Sequence, residues 1–158
     1  MADSAYLAGL KMLARRELSE AQVRQRLARR DYDAEAVDAA IAKLKDNRSL
    51  DDVRVAGAIA RTETGIRKRG RLRVRRQIEA AGIAPSIAER AVNEVFDTLD
   101  TDALLAAALQ KRLRGRDRIA DQREFARLFR YLLGQGFESD RIRAALVRLK
   151  PDATGQRT

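Results

Sequence analysis

Apolar residues recur along this chain at helical spacing, and one short pattern comes round three times. Val23, Leu27, Tyr32, Ala40, Ile41 and Leu44, shifted by about 51 residues, fall on Val74, Ile78, Ile83, Ala91, Val92 and Val95. A further shift of about 54 reaches Leu128, Leu132, Phe137, Ala145, Leu146 and Leu149. Every column is apolar in all three copies. A break recurs in the same register: Asp31, Gly82 and Gly136 share a column, just ahead of the apolar residue that leads into the next helix. Glycine suits a left-handed position after a helix, and aspartate tolerates one at some cost.

The pattern predicts nine helices. The first is capped by Asp3 or Ser4, carries Leu7, Leu10, Leu13 and Ala14, and ends near Arg16. Ser19 with Glu20 opens the second, which Asp31-Tyr32-Asp33 breaks; Asp33 caps the third, with Val37, Ala40, Ile41 and Leu44, and Asn47 closes it. A fourth begins at Ser49 and carries Val53, Ala56, Ile59 and Ala60. The middle copy then has roughly five extra residues within Thr64 to Gly70. After them comes a helix with Val74, Ile78 and Ala81 on one face, ending at Gly82. The third copy starts at Thr101 or Asp102 with Leu104, Leu105, Ala108, Leu109 and Leu113, and its last helix runs from Glu138 to Leu149. The expected fold is therefore all-α: three tandem three-helix repeats over residues 4–47, 48–98 and 99–150, forming an elongated, curved, solenoid-like array, with a disordered tail at 151–158. A triplet of about 50 residues buries little alone and gains from stacked neighbours.

Composition narrows the chemistry. Apolar residues make up 45% of the chain, enough for a core, but aromatics are only 4%, so that core is thin and aliphatic. There is no cysteine and no histidine, which excludes disulfides, thiolate and histidine catalysis, and the usual zinc sites. No run approaches the length of a membrane span, and the first residues lack the features of a secretion signal, so a cytoplasmic protein without a membrane partner is expected.

Charge is the most informative property. The formal net charge is +10, which points to a polyanion or an acidic protein surface as partner. Between Ile66 and Arg76 stand Arg67, Lys68, Arg69, Arg71, Arg73, Arg75 and Arg76, with no acid among them. An ordinary charge run is a solvated helix face, but like charges without counter-charge repel unless a partner screens them. Arginine in particular suits phosphate and carboxylate through its planar fork. Arg15, Arg16, Arg24, Arg26, Arg29 and Arg30 form a corresponding cluster in the first copy. In the third, Lys111, Arg112, Arg114, Arg116, Arg118, Arg123, Arg127 and Arg130 are interleaved with Asp117, Asp121 and Glu124. If the repeats superpose, these clusters line one side as a stripe, although salt-neutralised faces explain the third cluster equally well.

Other candidates reduce to structure. Ser19, Ser49 and Ser86 precede helices, with Gln22, Asp52 and Glu89 three residues on, so they read as caps rather than nucleophiles. The acidic pairs Asp31/Asp33, Asp51/Asp52 and Asp100/Asp102 lie at helix starts, where they offset the helix dipole. Gly134-Gln135-Gly136 follows a helix rather than a strand and is no phosphate loop. Phe125, Phe129 and Tyr131 read as packing between helices. Neither a cofactor nor an enzymatic activity is expected.

Leu50-Asp51-Asp52 followed by Arg54, Ala56, Ala60 and Arg61, then Lys68-Arg69-Gly70 and the helix to Ala81-Gly82-Ile83, resembles the central motif of the RecX family. Leu13 to Ser19, Leu27-Ala28-Arg29-Arg30 and Leu44-Lys45-Asp46 agree with it, and the likeness covers about residues 5 to 150. Val55 and Ile59 stand where the family often has aromatics, and Ile78 where it often has leucine. The resemblance implies a regulator of the recombinase RecA that binds the RecA–single-stranded DNA filament, inhibits its ATPase and strand exchange, and limits filament extension or promotes its loss; a monomer is expected. The basic run read from the residues would then supply contacts through Arg67, Lys68, Arg69, Arg73, Arg75 and Arg76, extended by arginines of the first and third copies, although no family motif assigns a role to each arginine. Two other readings stand beside it. One is a direct DNA-binding module, since three-helix units with an exposed basic helix resemble helix-turn-helix domains. The other is a structural adaptor whose basic face serves solubility.

Overall fold

The computed structural model describes residues 3–149; the expected tail at 151–158 lies outside the described residues. Among the described residues there are nine α-helices and no strand, an all-α helical repeat fold. They are α1 (Ala5–Arg15), α2 (Glu20–Ala28), α3 (Ala34–Asp46), α4 (Asp52–Gly65), α5 (Arg71–Ala80), α6 (Pro85–Phe96), α7 (Thr101–Leu113), α8 (Gln122–Gly134) and α9 (Ser139–Val147). By contact density the chain forms two compact units. Among the described residues, unit 1 holds those up to Ile59 together with Gln77–Ala91, and unit 2 holds Ala60–Arg76 together with those from Val92 to Leu149. The division passes through α4, α5 and α6.

In unit 1, α1 buries Ala5, Ala8, Gly9 and Met12, while Leu7 is exposed and Leu10 and Leu13 flank the core half-buried. The expected leucine stripe is thus displaced onto the small residues. The cause is close helix approach, since a methyl group on Gly9 would lie 2.8 Å from Leu44 Cδ1 on α3. Similarly α4 buries Val55, Ala56 and Ala60, and the expected Val53 faces solvent. The second and third helices follow the sequence pattern: Val23, Leu27, Ile41 and Leu44 are buried in the first triplet, and Val74, Ile78, Ala91 and Val92 in the middle one.

Three caps are as expected and two are not. Ser4 Oγ accepts from Leu7 N–H at 3.1 Å, Ser19 and Gln22 form a reciprocal capping box, and Asp33 accepts from Ala36 N–H at 2.7 Å. Ser49 is no cap: α4 starts three residues later, and Asp51 Oδ1 takes the N–H groups of Val53 and Arg54 at 3.0 and 3.2 Å. Ser86 lies inside α6, whose first residue is Pro85, a ring well suited to the first helical turn. The Leu-Asp-Asp motif thereby acquires a physical meaning. Leu50 is buried, Asp51 caps its own helix, and Asp52 Oδ1 accepts from Glu20 N–H at 2.8 Å, at the start of α2. Arg54 ties the motif down, reaching Glu17 at 3.0 Å and the carbonyls of Arg48 and Ser49.

The break column is left-handed in all three copies: φ is 63° at Asp31, 80° at Gly82 and 97° at Gly136. Two of these turns also dock. In unit 1 the turn after α5 sits on the start of α2, where Ser19 Oγ donates to Ala81 O and a Cβ on Gly82 would lie 2.5 Å from Ala21 Cβ. In unit 2 the turn after α8 sits on the start of α5. There Gly70 N–H donates to Gln135 O at 2.8 Å and Leu72 N–H to Gly136 O at 3.1 Å. Each joint places the turn of one triplet on the second helix of the triplet before it.

Candidate anion-binding surfaces

The basic run from Arg67 to Arg76 is less uniform in space than in sequence. Glu63, at the end of α4 and just outside the run, takes two of its cations: Arg69 at 2.8 Å and Arg67 at 3.7 Å. Glu63 and Arg69 are mostly buried, and Arg69 N–H also donates to Glu63 O at 2.9 Å, which closes the α4–α5 connection. Arg71 donates to Asn93 Oδ1 at 2.7 Å and lies over the Phe96 ring. Arg73 donates to Gly134 O at 3.0 Å, a cation placed at the C-terminal end of α8 where the helix dipole favours it. Arg75 also has a partner within the fold. What remains as outward cationic surface is Arg67, 55% exposed, with Lys68 beside it in the left-handed region at φ 54°, and Arg76 on α5.

In unit 1 the structure separates the cluster read from sequence into two parts. Arg24 turns to Asp38 at 2.6 Å and Glu20 at 3.4 Å, and the hydrogen bond it donates to Asp38 holds its guanidinium above the ordinary arginine value. The other five, Arg15, Arg16, Arg26, Arg29 and Arg30, converge with Lys11 around a cleft of about 440 Å³. Met12 is the apolar residue lining it, and no carboxylate does. Helical spacing builds this site. Lys11 and Arg15 stand one turn apart on α1, Arg26 lies in the last turn of α2, and Arg29 and Arg30 continue the same face past its end. Lys11 did not figure among the sequence candidates; its signal is the four-residue spacing to Arg15. It has a partner in Asp3 at 2.7 Å.

The third cluster, in unit 2, is tied to the fold at three of its eight cations. Arg116 pairs with the buried Glu124, whose second oxygen accepts from Ala120 N–H at 2.7 Å. The Arg116 hydrogen bond, then that backbone amide, hold the Glu124 carboxyl below its ordinary value. Arg118 has a partner within the fold, and Arg112 stacks 4.1 Å from the Tyr131 ring centroid. Arg123 and Arg127 are exposed one turn apart on α8. Among the described residues, no helix is long and apolar enough to cross a membrane, and no group of three or more acidic side chains is placed to hold a metal ion.

With the geometry in hand, comparison with known proteins is specific. A family model described as the first three-helix domain of RecX matches residues 5–44, and one described as the third three-helix domain of RecX matches residues 100–146. The regulatory protein RecX of Halorhodospira halophila is 32% identical over 146 residues, covering 92% of this chain and 88% of that one. The regulatory protein RecX of Vibrio campbellii is 30% identical, covering 88% of this chain and 87% of that one. The crystal structure of RecX from Lactobacillus salivarius matches the fold with a TM-score of 0.79 at 22% identity, over 92% of this chain and 94% of that one.

Proposed function

This chain belongs to the RecX family, and on that premise we propose that it is a non-enzymatic regulatory protein that acts on the RecA–single-stranded DNA filament. Its action there is inhibition: of ATP hydrolysis, of strand exchange and of filament extension. The observation that carries the reading is the relationship along nearly the whole chain to proteins named for regulation. The outward cations of both units support it, because a filament on single-stranded DNA carries a chain of phosphates. We place the protein in the bacterial cytoplasm as a monomer, with the triplets 4–47, 48–98 and 99–150 as its repeating parts. Arg67, Lys68 and Arg76 are the residues of the basic run available for partner contact, while Arg69, Arg71 and Arg73 hold the fold beneath them.

The test is RecA ATP hydrolysis on single-stranded DNA, with this protein at ratios too low to coat the DNA. Loss of hydrolysis is expected. Unchanged hydrolysis beside strong affinity for naked DNA would replace this reading with a direct DNA-binding one, which the acid-free cleft in unit 1 favours.

A further inference from the structure

We propose that the cleft between the ends of α1 and α2 is a phosphate-chain site, holding consecutive phosphates through arginine forks without reading bases. It deepens the regulatory reading and rests on it only for the source of the phosphates. Three observations lead here. First, the six cations Lys11, Arg15, Arg16, Arg26, Arg29 and Arg30 face one concavity of about 440 Å³ whose lining contains no acid. Among the described residues none of the five arginines has a carboxylate partner, whereas Arg24, on the same helix as Arg26, has two. Second, like charges one turn apart cost helix stability, as Lys11 with Arg15 does on α1. The dipole at a helix end rewards a cation or two in its last turn, which accounts for Arg15 and Arg26 but not for six. Third, five of the six are arginine, whose planar fork binds phosphate bidentately.

The lining also says what is not recognised. Its side chains offer no aromatic ring to stack on a base and no oxygen to accept from a base amino group, and Met12 is its apolar part. A mononucleotide site would need such contacts; a repeating chain of phosphates does not. An acidic peptide is the competing occupant, and the number of forks favours phosphate over scattered carboxylates.

The experiment uses the full chain, no recombinase, and fluorescence anisotropy with a labelled oligo-dT strand. Replacing Arg26, Arg29 and Arg30 together by alanine should weaken binding on the order of tenfold or more and flatten the log–log salt dependence by about 2, at roughly 0.7 per lost single-strand phosphate contact. The triple replacement by lysine keeps the charge and should recover only part of the affinity, while Arg24→Ala should bind as the parent does. Circular dichroism checks that each variant is folded, and the lysine variant keeps the test alive if the alanine variant is not. Tripolyphosphate should displace the strand at lower charge concentration than polyglutamate. If it also binds more tightly than oligo-dT of equal charge, the phosphates belong to a free chain rather than to nucleic acid. An unchanged affinity and slope in the folded triple variant would overturn the site, as would polyglutamate competing equally well. Because recombinase is absent from every arm, inhibition of RecA can stand while this site falls.

Discussion

The Gly70 amide donates to the Gln135 carbonyl at 2.8 Å, so the first turn of α5 is closed by backbone from the end of α8. Helix starts carry free N–H groups and helix ends free carbonyls, and here each satisfies the other. The same meeting explains why α5 tolerates Arg71 and Arg73 in its first turn, against its dipole: Arg73 reaches across to Gly134 O. Backbone contact this close leaves no room for side chains. A Cβ on Gly70 would lie 2.6 Å from Phe137 N, and one on Gly136 2.3 Å from Arg73 N.

Gly136→Ala should therefore be among the most harmful single substitutions. It combines a left-handed φ of 97° with a clash against backbone, for a loss of about 3 kcal/mol in urea denaturation. Gly115→Ala separates the two effects, because φ there is 84° but a Cβ meets nothing within 4 Å. Its cost should stay near 1 kcal/mol. Equal losses at the two positions would mean that the joint contributes nothing.

Glu63 should be required for stability rather than for binding. Its removal leaves the mostly buried Arg69 guanidinium unpaired, and Arg69 Nε already lacks a hydrogen-bond partner. Glu63→Ala should cost about 3 kcal/mol, and adding Arg69→Met should restore much of it, since an apolar replacement of a buried pair is often neutral. A double variant as unstable as the single one would show that the salt bridge itself is needed.

Glu124 should impose an acid limit on unit 2. Its folded carboxyl titrates below the ordinary value because Arg116, then the Ala120 amide, favour the charged form. The unfolded state therefore binds more protons in that window, and stability rises with pH there. The contribution is complete above the ordinary glutamate range and is lost as pH falls through the depressed value. Glu124→Gln should flatten the dependence of the denaturation midpoint between about pH 5 and pH 2. An unaltered slope would place the acid sensitivity elsewhere.

On the proposed reading, replacing Arg67, Lys68 and Arg76 by alanine should raise the amount of protein needed to inhibit RecA by about tenfold, at a few tenths of a kcal/mol to 1 kcal/mol per exposed charge contact. Stability should change by less than about 1 kcal/mol, because surface substitutions act weakly on folding. Full inhibition by the variant would reject this surface as the contact.

Much of the fold was legible because second and third helices of each triplet carry large aliphatics whose spacing reports burial directly, as Val23 and Leu27, Val74 and Ile78, and Leu128 and Leu132 do. The first helices misled for a reason of size. On α1 close approach to α3 selects Ala5, Ala8 and Gly9, which a hydrophobic pattern undervalues beside Leu7. Cap signals in sequence mislead where a neighbour competes, as Asp51 displaces Ser49 and Pro85 displaces Ser86. Of the candidate sites, Arg26, Arg29 and Arg30 were readable from one helix face, but Arg24 was not separable from them because Asp38 lies on another helix. The partner of Arg69 was hidden likewise: Glu63 sits outside the run of cations that looked uncompensated.

The break column holds glycine where a turn docks and aspartate where the turn is exposed. Asp31 thus records a rule for rebuilding the molecule. A further triplet grafted ahead of α1 would have to receive the Asp31 turn on its own second helix, and a Cβ there would hold the two backbones apart. An engineer lengthening the array would change Asp31 to glycine first, and only then choose the new helices.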